Sequence, residues 1–241
     1  MTKPANDYAS LSAGKIIETA LKLAHRIAER FSGSGLANIG RQLVEIAERT
    51  EEEALRLSQP NVPIRVAVGL VTAAGAIVLL FLVTALRPTE DVSNDVIPLV
   101  QGIESTMNIA ILVGLGVIAL MRLESLWKRR RALAALHKLR SLAHVIDMHQ
   151  LTKDPSFEHH AVAPTTSSPR RDLSAGELER YLDYCTEMLS LIGKLAALYA
   201  QSHTDQVVAQ TVNEIEVLTT NLARKIWQKI AILAGTEAIR D

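Results

Sequence analysis

A single cysteine, Cys185, stands in 241 residues, so no disulfide within the chain and no multi-cysteine metal site can form. Aromatic residues make up only 4% of the chain, with 12 glycines and 8 prolines, a composition short of the residues that strands and tight turns draw on. Charge of one sign is also lacking. The 26 Lys+Arg offset the 26 Asp+Glu, which removes the global basic excess on which nucleic-acid binding rests. Gly33-Ser34-Gly35 lacks the preceding strand and the Lys-Ser/Thr pair of a phosphate loop, and no HExxH spacing occurs. The first 20 residues, including Lys3, Asp7 and Glu18, contain no apolar run of the signal-peptide kind. Ala, Leu and Ile are abundant instead, which favours helices. The expectation is an all-α protein that is not an enzyme and needs no cofactor.

Two long apolar stretches then dominate. Residues 66–86 are 21 consecutive uncharged positions, about 31 Å of helix and enough to cross the hydrocarbon of a bilayer. Residues 105–121 are 17 more, and extension back through Glu104 to Pro98 makes the second long enough. The pattern predicts a transmembrane helical hairpin over 64–121, with helices at 64–86 and 98–121 and a short connector at 87–97. Proline suits a first helical turn, where its missing N–H has no partner to lose.

Charge sets the orientation. Arg56 and Arg65 precede the first apolar helix, and Arg122 with the run Lys128, Arg129, Arg130 and Arg131 follows the second. The connector is acidic, with Glu90, Asp91 and Asp95 against Arg87. Positive flanks stay on the cytoplasmic side. Both termini are therefore expected in the cytoplasm, with the chain integral to a membrane, the inner membrane of a bacterium. Trp127 falls where an interfacial aromatic belongs.

Around the hairpin the chain reads as helices. After a flexible leader at 1–10, Ala13, Ile17, Ala20, Ala24, Ile27 and Phe31 form one stripe, and Leu36, Ile39, Leu43, Ile46, Thr50, Ala54 and Leu57 another. The turn at 32–35 makes 11–59 a cytoplasmic helical hairpin, closed by Pro60 and Pro63. No proline or glycine occurs between Val117 and Leu151, which predicts one continuous helix carrying the second apolar segment on through 122–151. Residues 152–173 hold three prolines and many Ser and Thr and read as a flexible linker. In 174–234 Leu178, Leu182, Cys185, Leu189, Ile192, Ala196 and Tyr199 keep the 4-3 spacing of a coiled-coil seam. Val208, Val212, Ile215, Leu222, Ile226, Ile230 and Leu233 mark a last helix, with Thr204 or Asp205 as its N-cap.

Several residues are candidates for function. Gly102, Thr106, Ala110 and Gly114 repeat every fourth position, a small-residue stripe that lets helices approach closely in lipid. It would serve either a subunit seam or packing on the first apolar helix through Gly69 and Ala73. Glu104, with Asp91 and Asp95 at the mouth, would form an acidic ring in an oligomer, or would simply sit near the headgroups. The basic cluster of Arg122 and 128–131 would contact anionic lipid, at about 1 kcal/mol per residue, or serve only as topogenic charge. His144 and Asp147 share a helix face, with His137 two turns earlier on a similar face and His149 pointing elsewhere, and they read as ordinary polar or interface groups and not as three converging metal ligands.

The two-pass hairpin with its acidic connector resembles the pore subunit of the mitochondrial calcium uniporter, in which an aspartate and a glutamate before a proline open the second membrane helix. The matching stretch, Asn94-Asp95-Val96-Ile97-Pro98, lacks the preceding Trp and the Glu. In architecture alone the chain is similar to the two-pass effector modules with which bacterial defence systems permeabilise membranes. Neither resemblance amounts to membership. The expected function is a homo-oligomeric membrane scaffold that anchors protein partners at the cytoplasmic face, with an ion channel gated by the cytoplasmic helices as the alternative. The partners expected are the lipid bilayer, including anionic lipid, further copies of the chain and a cytoplasmic protein, and no nucleic acid.

Overall fold

The computed structural model describes residues 10–85, 96–153, 166 and 173–240, and among them no strand occurs. Six helices follow one another: α1 (Ala13–Arg30), α2 (Gly35–Ser58), α3 (Val62–Ala85), α4 (Val96–Leu151), α5 (Ala175–Ser202) and α6 (Gln206–Arg240). They form two compact units. One is Gln59–Arg130, with α3 and the first part of α4; the other combines the chain up to Ser58 with the chain from Arg131. The connector residues Asp91 and Asp95 lie outside the described residues, as does most of the stretch expected to be a linker.

The larger unit is a helical bundle built on local stop and start signals. Gly33 has φ 70°, the left-handed conformation that an L side chain rarely adopts, and it turns the chain after α1. The Ser34 hydroxyl then accepts the Ala37 N–H at 3.2 Å, opening α2. α1 buries Ile16, Ala20, Leu23 and Ile27, while Ala13 and Ile17 are only partly buried at the edge. The expected stripe is thus flanked by Ile16 and Leu23, because packing against both α2 and α5 needs a face wider than one seam.

α5 begins with a reciprocal capping box, the Ser174 hydroxyl accepting the Glu177 N–H and the Glu177 carboxylate accepting the Ser174 N–H. Its seam residues from Leu182 to Tyr199 are buried and Leu178 is partly buried, but Tyr181, Tyr184, Met188, Leu191, Leu195 and Leu198 are buried too. α5 packs against α6, α1 and α2 at once, so it is the axis of a bundle and not one strand of a two-helix seam. On α6 every residue of the expected stripe is buried, and Thr219, 4% exposed, fills the gap between Ile215 and Leu222 opposite Gly193. Asp205 is the N-cap, accepting the N–H groups of Val207 and Val208 at 3.0 and 3.1 Å. From α4, Leu136, Leu139, Ala143 and Ile146 complete the same core.

Polar contacts fasten this bundle at two buried points. The Tyr199 hydroxyl, on a side chain 1% exposed, donates to Glu53 at 3.0 Å beside Thr50. Burial raises its pKa, so the phenol stays protonated and able to donate. At the end of α4 the Lys229 ammonium donates to the Gln150 carbonyl at 3.1 Å and the Lys153 carbonyl at 3.4 Å, a cation placed at the negative end of a helix. The buried Gln150 side chain accepts from Lys229 at 2.7 Å and donates to Asp147 at 2.7 Å.

Candidate functional site

Within Gln59–Arg130, α3 and α4 are long and apolar enough to cross a membrane. Their apolar side chains point outward, with Leu70 67%, Phe81 71% and Leu112 69% exposed. The two helices meet along a narrow face. Gly75 is buried against Val113, where a Cβ would come within 2.5 Å of the Val113 side chain, and a Cβ on Gly116 would lie 3.7 Å from Val71.

The small residues singled out in sequence divide on this frame. Gly102 is buried and Thr106 half-buried, with the Thr106 hydroxyl donating to the Gly102 carbonyl at 2.8 Å. Ala110 and Gly114 are exposed, as are Gly69 and Ala73, and nothing lies within 4 Å of a Cβ on Gly69 or Gly114. The contact within the chain therefore runs through Gly75, Val113 and Gly116 and not through Gly69 and Ala73. The reason is helical drift. A spacing of four advances about 40° per step at 3.6 residues per turn, so the stripe that starts at Gly102 rotates off the α3 face by Ala110. Glu104 and Asn108 are exposed on α4.

The basic cluster is not uniform either. The Lys128 side chain is only 13% exposed; it pairs with Glu124 at 3.1 Å and donates to the Gln59 carbonyl at 2.8 Å. Glu124 in turn accepts the Asn61 N–H at 3.1 Å, just before α3 begins. That N–H, followed by the Lys128 ammonium, holds the Glu124 carboxyl below the usual carboxylate range. Lys128 is thus committed to locking α3 against α4 and is a poor lipid contact. Arg122 and Arg130 are exposed, and Arg129 and Arg131 are half-buried. The i,i+4 spacing of Glu124 and Lys128 is visible in sequence, but their contact with Gln59 and Asn61 is not.

In the bundle the feature that sequence patterns did not indicate is a groove of about 700 Å³ between α1, α5 and α6. Leu11, Ile16, Leu191 and Trp227 give it apolar walls, with Lys15 and Lys194 at the rim. A second hollow of about 540 Å³ shares Lys194 and Trp227 and is lined also by Arg224 and Glu216. Trp227 is 60% exposed, a large apolar side chain on a helix whose buried stripe is otherwise complete. Glu187, also on the groove, is already bound by Arg26 at 3.2 Å through one guanidinium nitrogen, and that guanidinium lies over the Tyr184 ring. A lone Trp in a helical pattern carries no period, which is why no spacing points to it.

His137, His144 and His149 are exposed, and Asp147 is engaged with Gln150 and, at 3.8 Å, with Lys225. Among the described residues no three His, Cys, Asp or Glu converge as a metal site would need. Cys185 is fully buried in the core. Comparison with protein-family models, with curated proteins and with solved structures finds no match to this chain.

Proposed function

We propose that the chain is a two-pass membrane protein, both termini cytoplasmic, which self-associates and presents its helical bundle as a docking platform for a protein partner. Support for the membrane part comes from the outward display of Leu70, Phe81 and Leu112 on helices long enough to span, a surface that lipid would cover at no cost. Support for the platform comes from the groove around Trp227. Binding hot spots are enriched in exposed tryptophans of this kind, and Lys15 and Lys194 at the rim add positive charge beside it. The expected partner segment is an amphipathic helix with an apolar face and acidic flanks, matched to Trp227, Lys194 and Arg224.

The test is site-specific photo-crosslinking in cells. A photoreactive side chain at 227 or 194 should capture one partner, while the same group at Arg56 or Arg41 should not, and Trp227→Ala should cut capture from 194 by about tenfold. Equal capture from all four positions would sink the platform.

A second reading, an ion-conducting pore, draws on the exposure of Glu104 and Asn108 in an apolar helix. Liposomes carrying the protein separate the two readings. The platform leaves them tight to small cations, whereas a cation conductance reduced by Glu104→Gln would favour the pore.

A further inference from the structure

Between residues 100 and 121, α4 turns Gly102, Thr106, Ile109 and Val113 inward and leaves two exposed flanks. These flanks differ in chemistry. One carries Ile103, Met107, Ala110, Gly114, Ile118 and Met121, apolar throughout. The other carries Gln101, Glu104, Ser105 and Asn108, at i, i+3, i+4 and i+7, all exposed. At about 100° per residue these four fall within about 100° of arc, a single polar strip on an otherwise apolar segment.

The hydroxyls elsewhere in this unit are satisfied at home. Thr72 donates to the Val68 carbonyl, Thr84 to Phe81 and Thr106 to Gly102, each at 2.8 Å. None of the four strip side chains has a hydrogen-bond partner among the described residues. In lipid such groups need an outside partner, because the hydrocarbon offers neither donor nor acceptor.

We infer that this strip is the seam on which a second copy of the chain packs, α4 against α4. The inference rests on the reading of α4 as a membrane helix. A second copy is the occupant that the chemistry selects. Copies inserted the same way carry the strip at the same depth, and the strip is self-complementary: Gln101, Ser105 and Asn108 donate, while Glu104 and the two amide oxygens accept. Lipid tails satisfy none of them.

The experiment is thiol cross-linking of the full-length protein in native membranes, where the buried native Cys185 leaves an engineered thiol as the reactive one. Under copper-phenanthroline oxidation, Ser105→Cys and Asn108→Cys should give a disulfide-linked dimer, at least tenfold more than Met107→Cys and Ala110→Cys on the apolar flank. The double variant Glu104→Leu with Asn108→Leu should lose most of the dimer trapped by a lysine cross-linker and stay in the membrane after alkaline extraction. Stronger cross-linking from 107 and 110 would overturn the seam. So would an adduct of another protein's mass at 108, or a thiol at 108 that stays monomeric yet reacts with a charged methanethiosulfonate, since water would then cover the strip. Release of the wild-type chain by alkaline extraction would overturn the membrane reading itself, and that failure is distinct from a retained chain that does not cross-link through the strip.

Discussion

Glu124 answers three needs with one carboxylate: it accepts the Asn61 N–H, pairs with Lys128 and is held in its charged form by both. Because its pKa is lowered on folding, the stability it adds is complete above the ordinary carboxylate value and is lost as pH falls through the depressed one. The wild-type α3–α4 pair should therefore weaken from about pH 5 downward. Glu124→Gln should cost about 1 kcal/mol at neutral pH and be much less sensitive to acid, which thermal unfolding in detergent between neutral pH and about pH 3.5 would show. A variant with the wild-type acid response would mean that some other carboxylate controls it. The Glu124–Lys128 pair could be read from sequence as an i,i+4 contact. Its extension to Asn61, 63 residues away in the chain, could not, since no local pattern encodes which backbone amide a side chain will meet.

Among the elements, legibility followed how many neighbours each helix has. α6 presents one face to the bundle, so its period named every core residue but Thr219, a polar residue that the apolar template passed over. α5 touches three helices, and its buried arc is far wider than the seam that spacing picked out. In α3 and the first part of α4 periodicity is mute, because an apolar helix hides its contact face among residues of equal hydropathy, and only backbone approach distinguishes Gly75 from Gly69. This difference yields a matched pair of variants. Gly75→Ala puts a methyl into Val113 and should loosen the helix pair, lowering its midpoint in a detergent melt by several degrees, while Gly69→Ala meets open space and should leave the midpoint within about one degree. Equal effects at the two positions would show that the pair packs on another face.

Over the whole molecule the two units reverse each other's surfaces, one with Leu, Phe and Met outward and the other with those residue types gathered inside. Cys185 reports on the second. Burial pushes its thiol up to about 12, so at neutral pH it is neither charged nor reachable. Maleimide should leave it unmodified in the native protein, and its labelling across a denaturant series should follow the loss of helical signal. Labelling at full rate before any denaturant would show the bundle core to be open. The carboxylate that holds the start of α3 has a consequence of a different kind, in time. A ribosome makes Asn61 well before Glu124, and at about 5–20 residues per second the gap is several seconds. During that interval α3 has no lock, so its start is fastened only once α4 has been made, and a chain stalled between them would hold a first helix whose anchor does not yet exist.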